Sequence, residues 1–443
     1  MIKKNNVVDI IGAGPAGLAV GYFAKKLGLN PVVYEKSDAI GGNCRTIVDG
    51  EFRYDTGAHR FHDKNDRVTS EIKSLIGRGL QKVRSPSTIY HKGKMIEFPL
   101  RIPDVFLNMD PSVITRVIYE NIINRVMPAS DPSSFKQLAY NKYGKTLAEL
   151  FLISYTEKLW GTDTDLLDPT VAGGRFKDLN LKSIIRKFIQ NDKYKPQHIE
   201  GDFYYPRYGF GKIFDALGAY IGKNNIFLNT PINLIHHNEK MIESIETAGG
   251  NKMPINSLVS TLPLNLLVNS MMPLPPKEII SCISNIDYRS IRLCILYLNS
   301  ERFTENASLY FPDIDCPFTR IYEPKNRSSK MAPRGKTCIV IEIPINQNNI
   351  ILDTPRQEVY SIVLKYLINH GLINEEQILD YKIHAIEYAY PIIYKNIRND
   401  IKNVISYFSG FDNLRIIGRN ATFEYLHTHD LIEQAEQLVK PMV

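Results

Sequence analysis

The chain has 443 residues, a length that exceeds one ordinary hydrophobic core and predicts two or three domains. Apolar residues make up 44% and charged residues 23%, as in soluble globular proteins, and no run of about 18 apolar residues predicts a membrane span. The excess of 54 Lys and Arg over 47 Asp and Glu is modest and forms no basic cluster with interleaved aromatics, so we expect an anionic small-molecule substrate rather than nucleic acid.

The chain begins with a few polar residues that lead directly into a predicted strand, without the regions of a signal peptide, so we expect a cytoplasmic protein. The five cysteines are scattered and include no C-x-x-C pair, which favours neither a disulfide framework nor a zinc site. His59 and His62 are metal-ligand types, but no third ligand is evident near them, and we predict no metal.

Residues 7–35 predict a strand, a glycine turn, a helix and a second strand that bind a dinucleotide. Gly12, Gly14 and Gly17 follow the first apolar run at G-x-G-x-x-G spacing, which permits a tight turn, close approach of a pyrophosphate and close packing of the helix. Glu35 closes the second strand, where a carboxylate can accept hydrogen bonds from a ribose diol. The unit alone leaves FAD and NAD as alternatives.

Beyond this unit the predicted elements change in period. Residues 63–80 include a short helix, and the next segment predicts a hairpin with its turn at Lys92-Gly93. Residues 103–191 carry apolar residues at spacings of three and four, which predicts an inserted helical domain.

The second half of the chain returns to the nucleotide-binding domain and then departs from it again. Residues 203–265 predict a helix, paired strands and an apolar strand that ends in a turn. Residues 266–385 alternate with period two, the pattern of an antiparallel sheet. The last segment predicts a strand, a turn at Gly418 and a C-terminal helix.

A second glycine pair decides between the two dinucleotides. Gly41 and Gly42 precede Arg45 in AIGGNCRT, and YDTGAH follows. This order resembles the FAD-binding segment of the glutathione-reductase-like flavoproteins, and it predicts FAD.

Further motifs, spread over nearly the whole chain, resemble the UDP-galactopyranose mutase family of flavoproteins. They are YDTGAHRFHDKN, YTEKLWG, GGRF, YYPRYGFG, LYFPDIDCPFTR and the terminal IIGR. The resemblance implies FAD that is active when reduced and an isomerase that interconverts pyranose and furanose forms of a nucleotide-diphosphate sugar, such as UDP-galactose, through a sugar adduct on flavin N5. It also implies a reductant, NAD(P)H or a flavin reductase, and a place in cell-surface polysaccharide biosynthesis.

The resemblance assigns roles to individual residues. Catalytic roles are implied for His59 beside the flavin and for Arg175 and Arg320, whose guanidinium groups would stabilise the charge of a leaving diphosphate. The residues expected to bind the cofactor are Gly12, Gly14, Gly17, Glu35, Gly42, Arg45, His59, Gly418 and Arg419. The residues expected to bind the substrate are Phe151, Tyr155, Trp160, Arg175, Tyr310, Arg320, Tyr390 and Tyr425.

Each substrate residue also has a structural alternative. Arg175, after two glycines, is typical of a solvated loop, and Arg320 of the polar face of a sheet. Phe151, Tyr155 and Trp160 fall near helical spacing, which is typical of a packed core stripe. For Tyr310, Tyr390 and Tyr425 the alternative is a half-buried core tyrosine.

The chain departs from the mutases in two places, which leaves the base and the sugar open. The sequence after Arg175 differs from the bacterial mutases, and Leu100-Arg101 stand near a strand where the eukaryotic members carry an aromatic and an amide. The alternative functions are an FAD-dependent oxidoreductase of the amine-oxidase or desaturase type, which transfers hydride, and a flavin-bearing binding protein without turnover.

We therefore predict an α/β protein, with a Rossmann-like FAD-binding domain, a helical insertion and an antiparallel sheet substrate layer. The FAD-binding domain is expected to comprise residues 1–80, 200–265 and 386–443, the helical domain 103–199, and the sheet domain 81–102 and 266–385. The sequence leaves the oligomeric state open, with a homo-oligomer as one alternative.

Overall fold

The structure, a computed structural model, describes residues 6–98, 110–126, 131–176, 202–346 and 354–443. Leu100-Arg101 and the divergent sequence at 177–201 lie outside the described residues.

The helices and strands of the described residues are as follows. The helices are α1 (Pro15–Lys26), α2 (Asp66–Ile76), α3 (Pro111–Val126), α4 (Phe135–Tyr143), α5 (Lys145–Ala148), α6 (Ser154–Trp160), α7 (Lys212–Ile221), α8 (Leu264–Ser270), α9 (Lys277–Ile283), α10 (Arg356–Asn369), α11 (Arg398–Ser409), α12 (Arg419–Thr422) and α13 (Thr428–Val439). The strands are β1 (Val7–Ile11), β2 (Asn30–Tyr34), β3 (Thr46–Asp49), β4 (Phe52–Asp55), β5 (Leu80–Val83), β6 (Ser87–His91), β7 (Lys94–Phe98), β8 (Phe203–Pro206), β9 (Ile226–Phe227), β10 (Ile232–His237), β11 (Ile242–Thr247), β12 (Lys252–Pro254), β13 (Leu258–Ser260), β14 (Met271–Met272), β15 (Asp287–Leu298), β16 (Ser308–Tyr310), β17 (Arg320–Tyr322), β18 (Thr337–Asn346), β19 (Ile378–Ile392) and β20 (Leu414–Ile416).

The first strand lies at the centre of a five-stranded parallel sheet, with the order β20-β13-β1-β2-β9. Helix α1 begins at Pro15, which loses no hydrogen bond there because the first turn of a helix has no acceptor for its N–H groups. The helix then packs against α7 and α13. The predicted strand, turn, helix and strand over residues 7–35 are confirmed.

A seven-stranded sheet forms the second layer, with the order β19-β15-β18-β17-β16-β6-β7. Its long strands β15, β18 and β19 pair antiparallel, as the period of two predicts. The hairpin of β6 and β7 turns at Lys92 and Gly93, whose φ angles of 48° and 79° are those of a two-residue hairpin turn. Strand β19 runs across the predicted boundary between residues 385 and 386, and the domain boundaries stay a prediction.

Two parts of the sequence prediction were wrong in detail. The apolar strand after Ser257 ends at Ser260, and its continuation is helix α8, since Pro263 interrupts the strand pattern. The region predicted as sheet also contains α10, whose residues Val359, Val363 and Leu367 lie one helical turn apart and pack in the core beneath the sheet.

The helical insertion is confirmed over its described residues. A stripe of residues spaced by four, namely Phe135, Ala139, Tyr143, Leu147 and Phe151, is buried in the core that this region shares with the nucleotide-binding sheet. Among the helices that the structure describes, none combines the length and the hydropathy that a membrane crossing requires.

Candidate functional site

A continuous cavity of about 1670 Å³ lies between the glycine turn, the helical insertion and the seven-stranded sheet. A single small-molecule site has roughly 300–1,000 Å³, so this space fits a cofactor and a substrate together. Of the predicted site residues, those that line the cavity are Gly12, Gly14, Glu35, Gly42, Arg45, His59, Phe151, Tyr155, Trp160, Tyr310, Arg320, Tyr390, Gly418, Arg419 and Tyr425.

Glycines form one end of the cavity. Gly12 has a φ of 98°, and a Cβ there would lie 2.2 Å from Oγ1 of Thr261. A Cβ on Gly42 would lie 3.0 Å from Cα of Gly14, so the two glycine motifs abut each other. A Cβ on Gly14 itself would meet no protein atom closer than 4.0 Å and would occupy cavity space. This cradle fits the pyrophosphate of FAD, which needs close approach to backbone N–H groups.

Glu35 is buried beside the cradle, directly after β2. One carboxylate oxygen accepts a hydrogen bond from the Ala13 N–H at 2.7 Å, and the other accepts from the N–H and the hydroxyl of Ser37 at 2.9 Å and 2.7 Å. The carboxylate therefore fixes both the glycine turn and the loop that follows. Its predicted contact with a ribose diol stays a prediction.

His59 lies farther along the cavity, on the segment that follows β4. Its Nε2 is 2.8 Å from the carbonyl oxygen of Asn43, which can only accept, so this nitrogen carries the proton. Its ring stacks on Phe210 with the centroids 5.1 Å apart. Burial lowers the pKa of His59 to about 3, and nearby arginines oppose its charge further, so the ring is neutral at physiological pH.

The C-terminal segment closes the same side of the cavity. Gly418 lines the cavity beside α1 with a φ of 115°, a backbone conformation that favours glycine, although a Cβ there would make only an ordinary contact with Cβ of Ala16 at 3.5 Å. Arg419 donates from Nε and Nη2 to the carbonyl oxygen of Leu426, at 3.1 Å and 2.7 Å. Its guanidinium also lies over the rings of Tyr390 and Tyr425, 5.5 Å and 5.4 Å from their centroids.

The aromatic residues form two groups in the cavity wall. The ring of Trp160 lies 5.8 Å from that of Tyr390 and 6.2 Å from that of Tyr425, and it is only 2% exposed. Tyr155 and Tyr310 meet edge to face at 5.7 Å. The rings therefore pack against one another, and their stacking on a substrate stays a prediction.

Arg320 forms the charged floor of the cavity. It lies opposite Glu342 in the pairing of β17 with β18, and the two side chains make a forked ion pair with N–O distances of 2.6–2.9 Å. Burial opposes the charge of Arg320, but Glu342 outweighs this effect and holds the pKa of the guanidinium above its ordinary value. Glu342 also accepts a hydrogen bond from the Ala58 N–H at 3.2 Å, which joins the floor of the cavity to the segment that carries His59.

Glu342 was not among the predicted site residues, although the sequence contains a signal for it. It is the single charged residue within the apolar run CIVIEIP of β18. A carboxylate at such a buried position needs a charged or hydrogen-bonded partner.

The predicted role of Arg175 is untested, because its side chain lies outside what the structure describes. The backbone before it is anchored, since Asp168 pairs with Arg398 and accepts hydrogen bonds from Thr170. Gly173 has a φ of 52°, and a Cβ there would lie 3.0 Å from a ring carbon of Tyr425. The described part of this turn therefore presses against the cavity wall.

Histidines near the cavity do not form a metal site within the described ranges. No group of three or more His, Cys, Asp and Glu side chains there could hold a metal ion. His427 and His429 stack at 5.6 Å, and Asp430 lies 3.2 Å from His429.

The chain is similar to known flavoproteins along most of its length. The profile of the flavin-containing amine oxidoreductases matches residues 15–377. A probable UDP-galactopyranose mutase of Klebsiella pneumoniae is 21% identical over 348 residues, which cover 76% of this chain and 77% of that protein. The UDP-galactopyranose mutase of Mycoplasma pneumoniae is 24% identical over 245 residues, 53% of this chain and 57% of that protein.

A solved structure of a reduced UDP-galactopyranose mutase superposes with a TM-score of 0.85 at 19% identity, covering 98% of this chain and 95% of that one. At this identity the likeness establishes the fold. The predicted fold class and the resemblance to the mutases are confirmed.

Proposed function

Because the chain belongs to the flavin-containing amine oxidoreductase family and carries a cradle that fits FAD, we propose that it is an FAD-dependent mutase that interconverts the pyranose and furanose forms of a nucleotide-diphosphate sugar. FAD is its cofactor. The observation that carries the proposal is the fixed pair of Arg320 and Glu342. It places a guanidinium on the cavity floor and ties it, through the Ala58 N–H, to the segment beside the flavin site.

In this proposal the cofactor supplies the reactive group, and the protein supplies binding, orientation and charge. When bound and reduced, FAD supplies a nucleophilic nitrogen, N5, for the anomeric carbon of the sugar, with no net redox change. Arg320 would hold the diphosphate and stabilise the negative charge that it gathers as the anomeric bond breaks. Glu342 would keep the guanidinium in a single orientation, so that little reorganisation is needed at that moment.

Other residues would exclude water and position the reactants. Neutral His59 adds no positive charge to its end of the cavity, and its Nε2 proton is committed to the Asn43 carbonyl. Tyr155 and Tyr310 would cover the diphosphate and the sugar, with Tyr310 5.9 Å below the Arg320 guanidinium. Arg175 would meet the diphosphate from the opposite side.

We assign the substrate class by similarity to the mutases, as a UDP-galactose-like nucleotide sugar. The reductant would be NAD(P)H or a flavin reductase. The enzyme would act in the cytoplasm, and its product would be used in the biosynthesis of cell-surface polysaccharides. A homo-oligomer is one arrangement that is compatible with this proposal.

The test is turnover of UDP-galactose under anaerobic conditions by protein loaded with FAD. With a single reduction by dithionite, we expect many molecules of the furanose product per flavin, seen by NMR, and no product from the oxidised protein. Oxidation of one flavin equivalent per product molecule would contradict the proposal and assign the chain to the oxidoreductases instead.

A further inference from the structure

We propose that Lys158 is a positioning residue, which ties the helical insertion to the sheet beside the proposed diphosphate site and thereby fixes Arg320 and Tyr310 for the reaction. This inference rests on the proposed function. Lys158 belongs to α6 and is not among the residues that line the cavity, so it acts on a substrate only through the residues that it holds in place.

The ammonium group of Lys158 is bound by three backbone oxygens of one loop. Its Nζ donates hydrogen bonds to the carbonyl oxygens of Phe311, Asp313 and Phe318, at 2.8 Å, 2.7 Å and 2.9 Å. A lysine ammonium has three N–H donors, so each donor has an acceptor. Without the ammonium, the three oxygens would lose a charged donor, and two of them belong to residues with no exposed surface, Phe311 and Phe318.

The loop that Lys158 holds connects two proposed substrate residues. It begins directly after Tyr310, the last residue of β16, and ends directly before Arg320, the first residue of β17. The ladder between the two strands has two residue pairs, and Tyr310 with Arg320 is the pair next to the loop. The bound carbonyls of Phe311 and Phe318 lie one residue after Tyr310 and two residues before Arg320. A displacement of the loop would therefore reach the backbone of both residues.

The helix that carries Lys158 brings a third proposed substrate residue to the same place. Tyr155 lies three residues before Lys158 on α6, so the two side chains share one face of the helix. The ring of Tyr155 meets that of Tyr310 edge to face at 5.7 Å. The contact between the helical insertion and the sheet thus combines an aromatic pair with the charged contact of Lys158.

A second buried cation fixes the end of the same helix. Arg289 of β15, which is 5% exposed, donates from Nε to the carbonyl oxygen of Leu159 and from Nη2 to that of Lys158, both at 2.9 Å. These oxygens lie at the C-terminus of α6, where the last carbonyl groups have no partner within the helix and the helix dipole favours a positive charge. Arg289 therefore anchors the helix to the sheet, and Lys158 anchors the loop to the helix.

The first experiment is a double-mutant cycle on the turnover of UDP-galactose by protein that is loaded with FAD and reduced. Lys158→Met keeps a long side chain and removes the ammonium, so we expect kcat to fall about 10- to 100-fold as Arg320 loses its fixed position. Arg320→Ala, which should cost a hundredfold or more in the wild type, should cost about tenfold less in the Lys158→Met background, because the two residues act through one interaction.

The second measurement is the binding of UDP to the oxidised protein by calorimetry, which requires no turnover. Lys158→Met should weaken this binding about threefold to tenfold, because the proposed diphosphate site is less well ordered. FAD content should be unchanged, since the cofactor end of the cavity is built from other segments.

Lys325→Met is the matched control. The Nζ of Lys325 also donates to three backbone carbonyl oxygens, those of Glu301, Pro333 and Lys336, at 3.0 Å, 3.4 Å and 2.9 Å, but this lysine lies outside the cavity. The variant should keep the wild-type kcat and UDP binding. Urea unfolding of both variants shows how much stability each lysine contributes, so that a loss of turnover is compared at a known loss of stability.

A variant that retains the charge keeps the test decisive if Lys158→Met does not fold. Lys158→Arg places a cation in the loop, but its donors lie in one plane, whereas the three oxygens converge on a single ammonium. Its kcat should lie between those of Lys158→Met and the wild type, and Arg320→Ala should again cost less in this background.

The outcomes separate this role from the proposed function. A cost of Arg320→Ala that is the same in the wild type and in every folded Lys158 variant would overturn the role of Lys158 and leave the mutase function intact, and so would an equal loss of kcat in Lys325→Met. Conversion of no UDP-galactose by the reduced wild type would overturn the proposed function, and the role of Lys158 with it.

Discussion

The two ends of the cavity are built in different ways. At the cofactor end the site consists mainly of backbone, with glycines that make room and one carboxylate, Glu35, that fixes the turn. At the proposed substrate end the site consists of side chains that contact one another from different elements, such as Arg320 with Glu342 and Tyr155 with Tyr310. The first end tolerates little added volume, while the second depends on charge and orientation.

The largest effect should therefore follow from adding a single carbon at the cofactor end. In Gly17→Ala the new Cβ would lie 1.9 Å from the carbonyl oxygen of Gly12, so the backbone of the turn must shift. We expect the variant to lose most of its FAD, or to fail to fold. The measurement is flavin absorbance per protein after desalting, together with circular dichroism.

The matched control is Gly249→Ala. A Cβ at that position would meet its nearest atom at 3.8 Å, an ordinary contact, so FAD content should be unchanged. Full FAD retention by Gly17→Ala would show that the turn accommodates a methyl group. The cofactor end would then not be more sensitive to added volume than the other end.

The next effect concerns charge at the substrate end. Arg320→Ala removes the proposed donor to the leaving diphosphate and leaves Glu342 buried without its partner, so we expect kcat to fall by a hundredfold or more, about 3 kcal/mol. Arg320→Lys should not restore the rate, because an ammonium group cannot reproduce the guanidinium fork. Arg175→Ala should reduce turnover to a similar extent.

Arg302→Ala is the control, since Arg302 pairs with Glu305 on the surface and lies outside the cavity. Its turnover should match that of the wild type, with FAD content checked for every variant. Turnover rates near the wild-type value in both Arg175→Ala and Arg320→Ala would show that the diphosphate is held elsewhere.

The same contrast explains which parts of the molecule could be predicted from the sequence. Gly12, Gly14 and Glu35 form a site within about thirty residues, and local spacing encodes such a turn. Arg320 was predicted as a substrate residue through a motif, but its partner Glu342 depends on how β17 aligns with β18, and the sequence does not state that register.

Helix α10 shows a second reason for a missed prediction. Its apolar residues Val359, Val363 and Leu367 have a helical period, but they lie between strands whose alternation dominates the segment. The helix is stabilised by packing beneath the sheet, a tertiary contact that propensity alone does not reveal.

The smallest expected effect concerns charge at the cofactor end, where added volume otherwise matters most. The group is a buried acid in the strand that precedes the glycine turn. Asp9 lies in β1, 5% exposed, and accepts a hydrogen bond from the Tyr34 hydroxyl at 3.1 Å. Burial raises its pKa from 3.8 to about 6, although the hydrogen bond from Tyr34 opposes this shift. The native state therefore binds the proton more tightly than the unfolded state does.

The sign of the pH dependence follows from this difference. The contribution of Asp9 to stability is fully present below pH 3.8 and is lost as pH rises through 6, by at most about 3 kcal/mol. Asp9→Asn keeps an acceptor for the Tyr34 hydroxyl and carries no charge, so it should be more stable than the wild type at pH 7.5, by about 1–3 kcal/mol, and nearly equal at pH 4. Urea unfolding at the two pH values, with FAD present at a fixed concentration, measures this difference. If Asp9→Asn is more stable than the wild type by the same amount at both pH values, the ionisation of Asp9 is not the cause of the difference. If Asp9→Asn is less stable than the wild type at pH 7.5, the carboxylate stabilises the strand, as Glu35 stabilises the turn.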